Sequence, residues 1–236
     1  MKMKNKKEEQ KARKEEHRER QKAAKQKRKR SPKLERNEPE KAEKESILIV
    51  CEGKNTEPSY FNSFRLASAT IRATGDGKNT ISLVQEAQKL ALKDDYDQVW
   101  CVFDKDGFPN EHFNNAIYMA ESQGFKVAYS NQAFEYWLIL HFEDHQGSAM
   151  GRKEYCKKLN TYLAQFGVSY DCDGKMITQE IFDILTAISP DGRKTYQQIA
   201  IDRGKRNMEY FDNTNPALEE SSTLVFKLVE ELEKFK

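Results

Sequence analysis

Two aspartates follow an apolar run near the middle of the chain. Residues 99–103 read VWCVF, and Asp104, Lys105, Asp106 and Gly107 come directly after them. A short continuous apolar run is typical of a buried strand in a parallel sheet. Carboxylates at the end of such a strand are oxygen ligands of the kind that Mg²⁺ and Mn²⁺ prefer. Because Asp-x-Asp-Gly is also an ordinary turn composition, a solvated turn is the alternative for this pair alone.

An earlier apolar run ends on a third acid. Residues 46–53 read SILIVCEG, so Glu52 and Gly53 follow a second predicted strand. Ligands of open parallel sheets bind at the carboxyl ends of the strands, where Gly53 and Gly107 would allow sharp turns. Carboxylates crowded at one edge raise each other's pKa unless a cation lies between them. We therefore expect Glu52 and the two aspartates to lie together and to hold Mg²⁺ or Mn²⁺.

A later segment carries another acid among apolar residues. Residues 130–142 read SNQAFEYWLILHF, which predicts a long helix after a strand, capped by Ser130 or Asn131. In such a helix Glu135 shares a face with large apolar side chains. A carboxylate in apolar surroundings destabilises the fold unless it is paired or bound to a metal. Glu135 is therefore a candidate catalytic or orienting acid, and the alternative is a helix N-terminal charge that faces solvent.

Polar residues near these acids are candidates for contacts with a substrate. Lys54, Asn55 and Lys105 lie beside the acids in the sequence, where they could contact phosphates. His141 follows Glu135 along the predicted helix and could contact phosphate or carry a proton. The alternatives are ordinary loop residues and a hydrogen-bonded helix histidine without a chemical role.

The elements around the acids alternate between strands and helices. From residue 46 to about residue 145 this alternation predicts an α/β fold with a parallel sheet flanked by helices. After Gly147 the pattern becomes helical. The predicted helices lie within residues 152–167, 178–189, 194–211 and 222–235. We therefore predict an α/β core, residues 46–146, and a helical C-terminal part, residues 147–236, packed on that core.

The first 45 residues differ in composition from the rest of the chain. They hold 19 Lys and Arg against 10 Asp and Glu, whereas the other 191 residues hold 21 against 28. With so few large apolar residues, this part cannot offset the entropy of ordering, which predicts a basic low-complexity extension that is disordered or helical. Its block KQKRKR, residues 25–30, could attract nucleic-acid phosphates. The alternative is a solvated charged extension.

Cysteine usage and hydropathy bear on the compartment. Cys51, Cys101, Cys156 and Cys172 form no CxxC pair, and the first two lie in predicted strands as small core residues. We expect no zinc site and a reducing cytoplasm. The sequence has no apolar run of about 18 residues and no signal-peptide pattern, so we expect no membrane association.

The order of these motifs resembles a known fold. A strand ending in Glu-Gly and a later strand ending in Asp-x-Asp resemble the Toprim fold of topoisomerases, primases and OLD-type nucleases. More closely, four segments resemble the RloB family of Toprim-related proteins, which belong to bacterial defence and restriction-type loci, often beside an ABC-type ATPase. These segments are ILIVCEGKNTEPSYFNSF, VWCVFDKDGF, SNQAFEYWLILHF and NPALEESSTLVFKLVEEL. The resemblance covers about residues 46–235.

The resemblance implies roles for individual residues. Glu52 matches the Toprim glutamate, a general acid/base or metal ligand, and Asp104 and Asp106 match the metal-binding aspartates. Many Toprim enzymes carry a further acid shortly after the glutamate, and Glu57 is the nearest candidate here. The alternative for Glu57 is that it only complements the N-terminus of a helix.

The implied function is an Mg²⁺-dependent nuclease that cleaves RNA or DNA in anti-phage defence. The resemblance also implies an ABC-type ATPase as a partner, and it is compatible with a homo-oligomer. One alternative is a non-catalytic subunit that binds nucleic acid or regulates a partner. A lesser alternative is a haloacid-dehalogenase-type phosphatase, because VFDKDG resembles its first motif. Phe108 follows this motif and no GDxxxD occurs downstream, which both speak against the phosphatase.

Overall fold

The apolar runs of the sequence form the strands of one sheet. The computed structural model describes residues 15–16, 18–20, 22–23, 44–75, 80–146 and 150–236. Within these residues the strands are β1 (Glu45–Cys51), β2 (Ala69–Gly75), β3 (Gln98–Asp104) and β4 (Lys126–Ser130). They pair in parallel in the order β2-β1-β3-β4. The predicted α/β fold with a parallel sheet is confirmed, and the two strands that end on acids are its central neighbours.

The helices follow the predicted alternation. They are α1 (Thr56–Asn62), α2 (Thr80–Lys93), α3 (Asn110–Ser122), α4 (Glu135–Leu140), α5 (Arg152–Leu163), α6 (Gln179–Thr186), α7 (Tyr196–Met208) and α8 (Val225–Glu233). Short 3₁₀ turns occupy Ala164–Phe166 and Pro216–Leu218.

The prediction for α4 was wrong in its length and its cap. The helix has six residues and begins at Glu135, with Phe134 preceding it. Ser130 belongs to β4, and the Asn131 side chain donates to the Pro216 carbonyl at 2.8 Å. Both predicted caps are therefore engaged elsewhere, and residues 131–134 form an irregular connection before the helix.

The two faces of the sheet bury alternate residues of each strand. Ile47 and Ile49 of β1 face a core built with α1, α4 and the helices of the C-terminal part. Leu48 and Val50 face a second core built with α2 and α3. This alternation follows from the period of two along a strand. Because both of their faces are covered, β1 and β3 read as continuous apolar runs.

Residues Lys44–Lys236 form one compact unit. The boundary that we predict between residues 146 and 147 stays a prediction, although α5 and α8 share a core with β1. The basic block at residues 25–30 lies outside the described residues, and those described between 15 and 23 are helical. Along the stretches that the structure describes, no helix combines the length and apolar character needed to cross a membrane.

The cysteines divide into two kinds. Cys51 and Cys101 are buried free thiols in β1 and β3, as predicted. Cys156 and Cys172 form a disulfide, with Cα atoms 6.0 Å apart. Our expectation of a reducing compartment did not anticipate this bond, because the sequence does not reveal that residue 172 returns to α5. The bond ties the loop before α6 to α5.

Candidate active site at the carboxyl edge of the sheet

The pairing of β1 with β3 brings the first two predicted acids together. Cys51 pairs with Val102, and the Glu52 N–H donates to the Val102 carbonyl at 2.9 Å. One residue further, Glu52 Oε2 accepts a hydrogen bond from the Asp104 N–H at 3.2 Å. The two acids therefore lie side by side at the carboxyl edge of one parallel sheet.

The turn after β3 positions the third predicted acid. The N–H groups of Lys105 and Asp106 donate to the carbonyls of Ser130 and Gln132, at 2.9 and 3.1 Å. Asp106 has a φ of 43°, so the left-handed conformation falls on this residue. Aspartate is among the few residues that tolerate it. Gly107 lies in this turn, since the Phe108 N–H donates to the Lys105 carbonyl at 3.1 Å, but its φ is not positive, so the turn does not use the conformational freedom of glycine there.

Gly53 is required by a close approach. A Cβ atom on this residue would lie 2.2 Å from Glu57 Oε2, because the carboxylate of Glu57 rests against the Gly53 backbone. Glu57 lies in the first turn of α1 and is only 5% exposed. Its side chain is therefore turned inward, toward the other acids. A carboxylate that only complemented the helix N-terminus could remain exposed to solvent.

Glu135 is buried and is paired with a residue that the sequence reasoning missed. It is 3% exposed and begins α4. Tyr170 donates its hydroxyl hydrogen to Glu135 Oε1 at 3.1 Å, and the same hydroxyl lies 3.1 Å from Thr56 Oγ1. Thr56 in turn donates to the Lys175 carbonyl at 2.9 Å. The loop before α6 thus contacts Glu135 through Tyr170 and is itself held by Thr56.

Arg152 is the second residue that was missed, and it lies among the acids. Its Nη2 atom is 2.9 Å from Asp104 Oδ2 and 2.9 Å from Asp106 Oδ1. Its Nε atom is 3.9 Å from Glu135 Oε2. The only signal for it in the sequence is indirect: crowded carboxylates require a cation, and the chain itself can supply one.

The electrostatics of the site follow from burial and like charge. Burial raises the pKa of Glu52 to about 8, and the Asp106 and Glu57 carboxylates add to this rise against the hydrogen bond from Asp104. Burial also raises the pKa of Asp104 and of Glu57, and neighbouring carboxylates contribute to both. For Arg152, burial lowers the pKa, but the carboxylates of Asp104 and Asp106 outweigh it. Negative charge therefore exceeds the compensation that one guanidinium provides.

The acids line a cleft of about 310 Å³. Two of the predicted substrate-contacting residues, Lys54 and Asn55, line it as well, and so does Lys175, which was not predicted. Asn55 Nδ2 donates to the Gly174 carbonyl at 2.9 Å, so this side chain holds the loop before α6. Lys105 does not line the cleft, and its Nζ atom lies 3.4 Å from the Asp106 carbonyl oxygen.

His141 does not belong to the cleft. It is 1% exposed, its Nδ1 atom lies 3.1 Å from the Trp137 carbonyl, and burial lowers its pKa to about 3. A neutral, enclosed imidazole can neither contact a substrate nor exchange protons with it near neutral pH. The enclosed, neutral imidazole therefore contradicts the prediction that His141 contacts phosphate or carries a proton.

The donor atoms suit a divalent cation, but the present arrangement does not form a ligand set. Five carboxylates line the cleft, and carboxylate oxygens are the ligands that Mg²⁺ and Mn²⁺ prefer. Among the residues that the structure describes, no three His, Cys, Asp or Glu side chains are arranged around a single ion. In this arrangement the guanidinium of Arg152 contacts both Asp104 and Asp106.

The match with a family model spans the whole of this site. A model described as RloB-like protein matches residues 47–232, from β1 into α8. Comparisons with curated proteins and with solved structures gave no significant match.

Proposed function

Because the chain belongs to the family of RloB-like proteins, we propose that it is a Toprim-type, Mg²⁺- or Mn²⁺-dependent nuclease that cleaves RNA or DNA. The observation that carries this proposal is the convergence of Glu52, Asp104 and Asp106 at the carboxyl edge of one parallel sheet. From the family resemblance we further propose a role in anti-phage defence, in the cytoplasm, with an ABC-type ATPase as a partner.

The acids divide into two roles in this proposal. Glu52, Glu57, Asp104 and Asp106 would hold the cation. When bound, it would activate water and stabilise negative charge on the scissile phosphate. The alternative role for Glu52 is that of a general acid/base, because in the metal-free protein burial raises its pKa to about 8, close to neutral pH. Glu135 would keep its orientation through Tyr170.

The rim of the cleft suits an anionic substrate. Lys54 and Lys175 line it from two separate segments of the chain, the first after β1 and the second before α6. Lysines at the mouth of an acidic cleft would draw phosphates toward the acids without neutralising them. Two lysines on separate segments of the lining would suit a substrate with more than one phosphate, such as a nucleic-acid backbone.

A second candidate is a non-catalytic subunit that binds nucleic acid or a partner. The observation that favours it is the pairing of Arg152 with Asp104 and Asp106, which compensates part of the charge without a metal. No observation favours the phosphatase alternative. The two remaining candidates differ in whether a bond is cut, so a cleavage assay separates them.

The test is direct cleavage by the purified full-length chain. We would incubate it with total RNA and with plasmid DNA, in Mg²⁺, Mn²⁺ or EDTA, and sequence any cut ends. Cleavage should require the metal and should fall about 100-fold or more in Glu52→Gln and Asp104→Asn. Glu121→Gln, which changes an exposed carboxylate on α3, serves as the control. Cleavage that persists in both variants, or no cleavage under any condition, refutes the nuclease proposal.

A further inference from the structure

We propose that Arg152 is a built-in counter-cation that competes with the divalent ion for Asp104 and Asp106, so that the ion displaces its guanidinium when it binds. The inference rests on the proposed function only in taking the carboxylate edge as the place where the ion binds. It assigns a role in regulating that occupancy to a residue from the C-terminal part.

The contact geometry shows that the two cations would need the same place. A single nitrogen, Arg152 Nη2, lies 2.9 Å from one oxygen of Asp104 and 2.9 Å from one oxygen of Asp106. A divalent ion bound by both aspartates would draw on the same two carboxylates. Asp104 is held in place, because it is 5% exposed and its Oδ2 also accepts the Phe134 N–H at 3.1 Å. The ion and the guanidinium would therefore compete for this pair of carboxylates.

The guanidinium is held in a way that permits displacement. Strong arginine–carboxylate pairs use two parallel N–H···O bonds from the planar fork. Here a single nitrogen contacts two carboxylates. The buried Nε atom has no hydrogen-bond partner and lies 3.9 Å from Glu135 Oε2. The side chain is also 36% exposed, so it can leave the acids without crossing the core.

Repulsion among the acids favours the binding of Arg152 when no ion is present and the binding of a divalent ion when one is present. Without an ion, Arg152 offsets part of the repulsion among the buried acids, because its Nη2 atom lies 2.9 Å from an oxygen of each aspartate. A divalent ion offsets more of this repulsion than a monovalent guanidinium does. The ion should therefore displace the guanidinium at sufficient concentration, and Arg152 should raise the concentration of ion that is needed.

The test is a measurement of metal affinity, independent of cleavage. Mn²⁺ binding would be measured by calorimetry and by electron paramagnetic resonance for the wild type, Arg152→Met and Arg152→Lys. The matched control is Arg72→Met, which removes an arginine that pairs with exposed Asp94 on the β2 side. We expect Arg152→Met to lower the Mn²⁺ dissociation constant at least about tenfold, Arg152→Lys to lower it less, and Arg72→Met to leave it unchanged.

The outcomes separate this inference from the proposed function. Equal or weaker Mn²⁺ binding by folded Arg152→Met and Arg152→Lys, beside a wild type that binds, overturns the competition alone. Tighter binding by the variants supports it, even if no nucleic acid is ever cleaved and the nuclease proposal fails. If neither the wild type nor any folded variant binds Mn²⁺, both the metal site and the competition are refuted. Should Arg152→Met not fold, the lysine variant carries the comparison.

Discussion

The raised pKa of Glu52 makes the stability of the metal-free protein depend on pH in a predictable direction. The folded state holds a proton on Glu52 up to a pKa of about 8, whereas the ordinary value is 4.5. The folded state therefore binds this proton more tightly than the unfolded state does. Its contribution to the free energy of unfolding is fully present below about pH 4.5 and is lost as pH rises through about 8. Glu52→Gln keeps the shape of the protonated form and removes the titration.

The size of the effect follows from the pKa values. At about 1.36 kcal/mol per pKa unit, a rise from 4.5 to about 8 sets an upper limit of about 5 kcal/mol. The carboxyl remains partly exposed and lies near Arg152, so solvent screening and pairing reduce this to about 1–3 kcal/mol. The compared quantity is the free energy of unfolding of Glu52→Gln minus that of the wild type. We expect this difference to be about 1–3 kcal/mol larger at pH 8 than at pH 5.

Urea denaturation in EDTA, at pH 5 and pH 8, measures this difference. The wild type should also lose stability through the raised pKa values of Asp104 and Glu57, so only the gap between wild type and variant reports on Glu52. Glu121→Gln, at an exposed position, should show no gap that changes with pH. The reasoning fails if the gap between wild type and Glu52→Gln is the same at both pH values, or larger at pH 5.

Three further substitutions or treatments test other contacts of the site. Gly53→Ala forces a Cβ against a buried carboxylate and should lower the free energy of unfolding by about 1–3 kcal/mol, whereas Gly107→Ala, with no atom within 4 Å, should change it by less than about 0.5 kcal/mol in the same urea titration. Tyr170→Phe removes a buried hydroxyl with two close polar neighbours, and a loss of about 1–2 kcal/mol is expected; an unchanged urea midpoint would contradict this. Reduction of the Cys156–Cys172 bond, which spans 16 residues, should lower stability by about 3 kcal/mol, and a melting temperature insensitive to reductant would speak against the bond.

Much of the fold could be predicted because its signals are local. A strand that is buried on both faces must be apolar throughout, and β1 and β3 display this directly in the sequence. The alternation with helices then fixes a parallel sheet, since parallel neighbours need a crossover. The short length of α4 was not predictable in this way. All six of its residues are buried, so its sequence carries no polar face to mark where the helix begins.

The candidate site was predictable only where it depends on the strands. Glu52 and Asp104 could be placed together because adjacent strand ends share an edge. Arg152 and Tyr170 could not, because each reaches its acid from a distant part of the chain, 48 and 35 residues away in sequence. These contacts depend on how the C-terminal helices pack, which no periodicity encodes. His141 illustrates the opposite error: proximity to Glu135 along α4 suggested proximity to the cleft, but the helix leads into the core.

The site is therefore completed by two parts of the chain that contribute opposite charges. The sheet and the loops after its strands supply carboxylates whose burial raises their pKa. The residues after 150 supply Arg152, the Tyr170 hydroxyl and the Lys175 carbonyl, which accepts a hydrogen bond from Thr56. Arg152 opposes the rise that burial causes in the pKa of Asp104, and Tyr170 holds the Glu135 carboxylate. The part after residue 150 thus contributes side chains to the site as well as to the core.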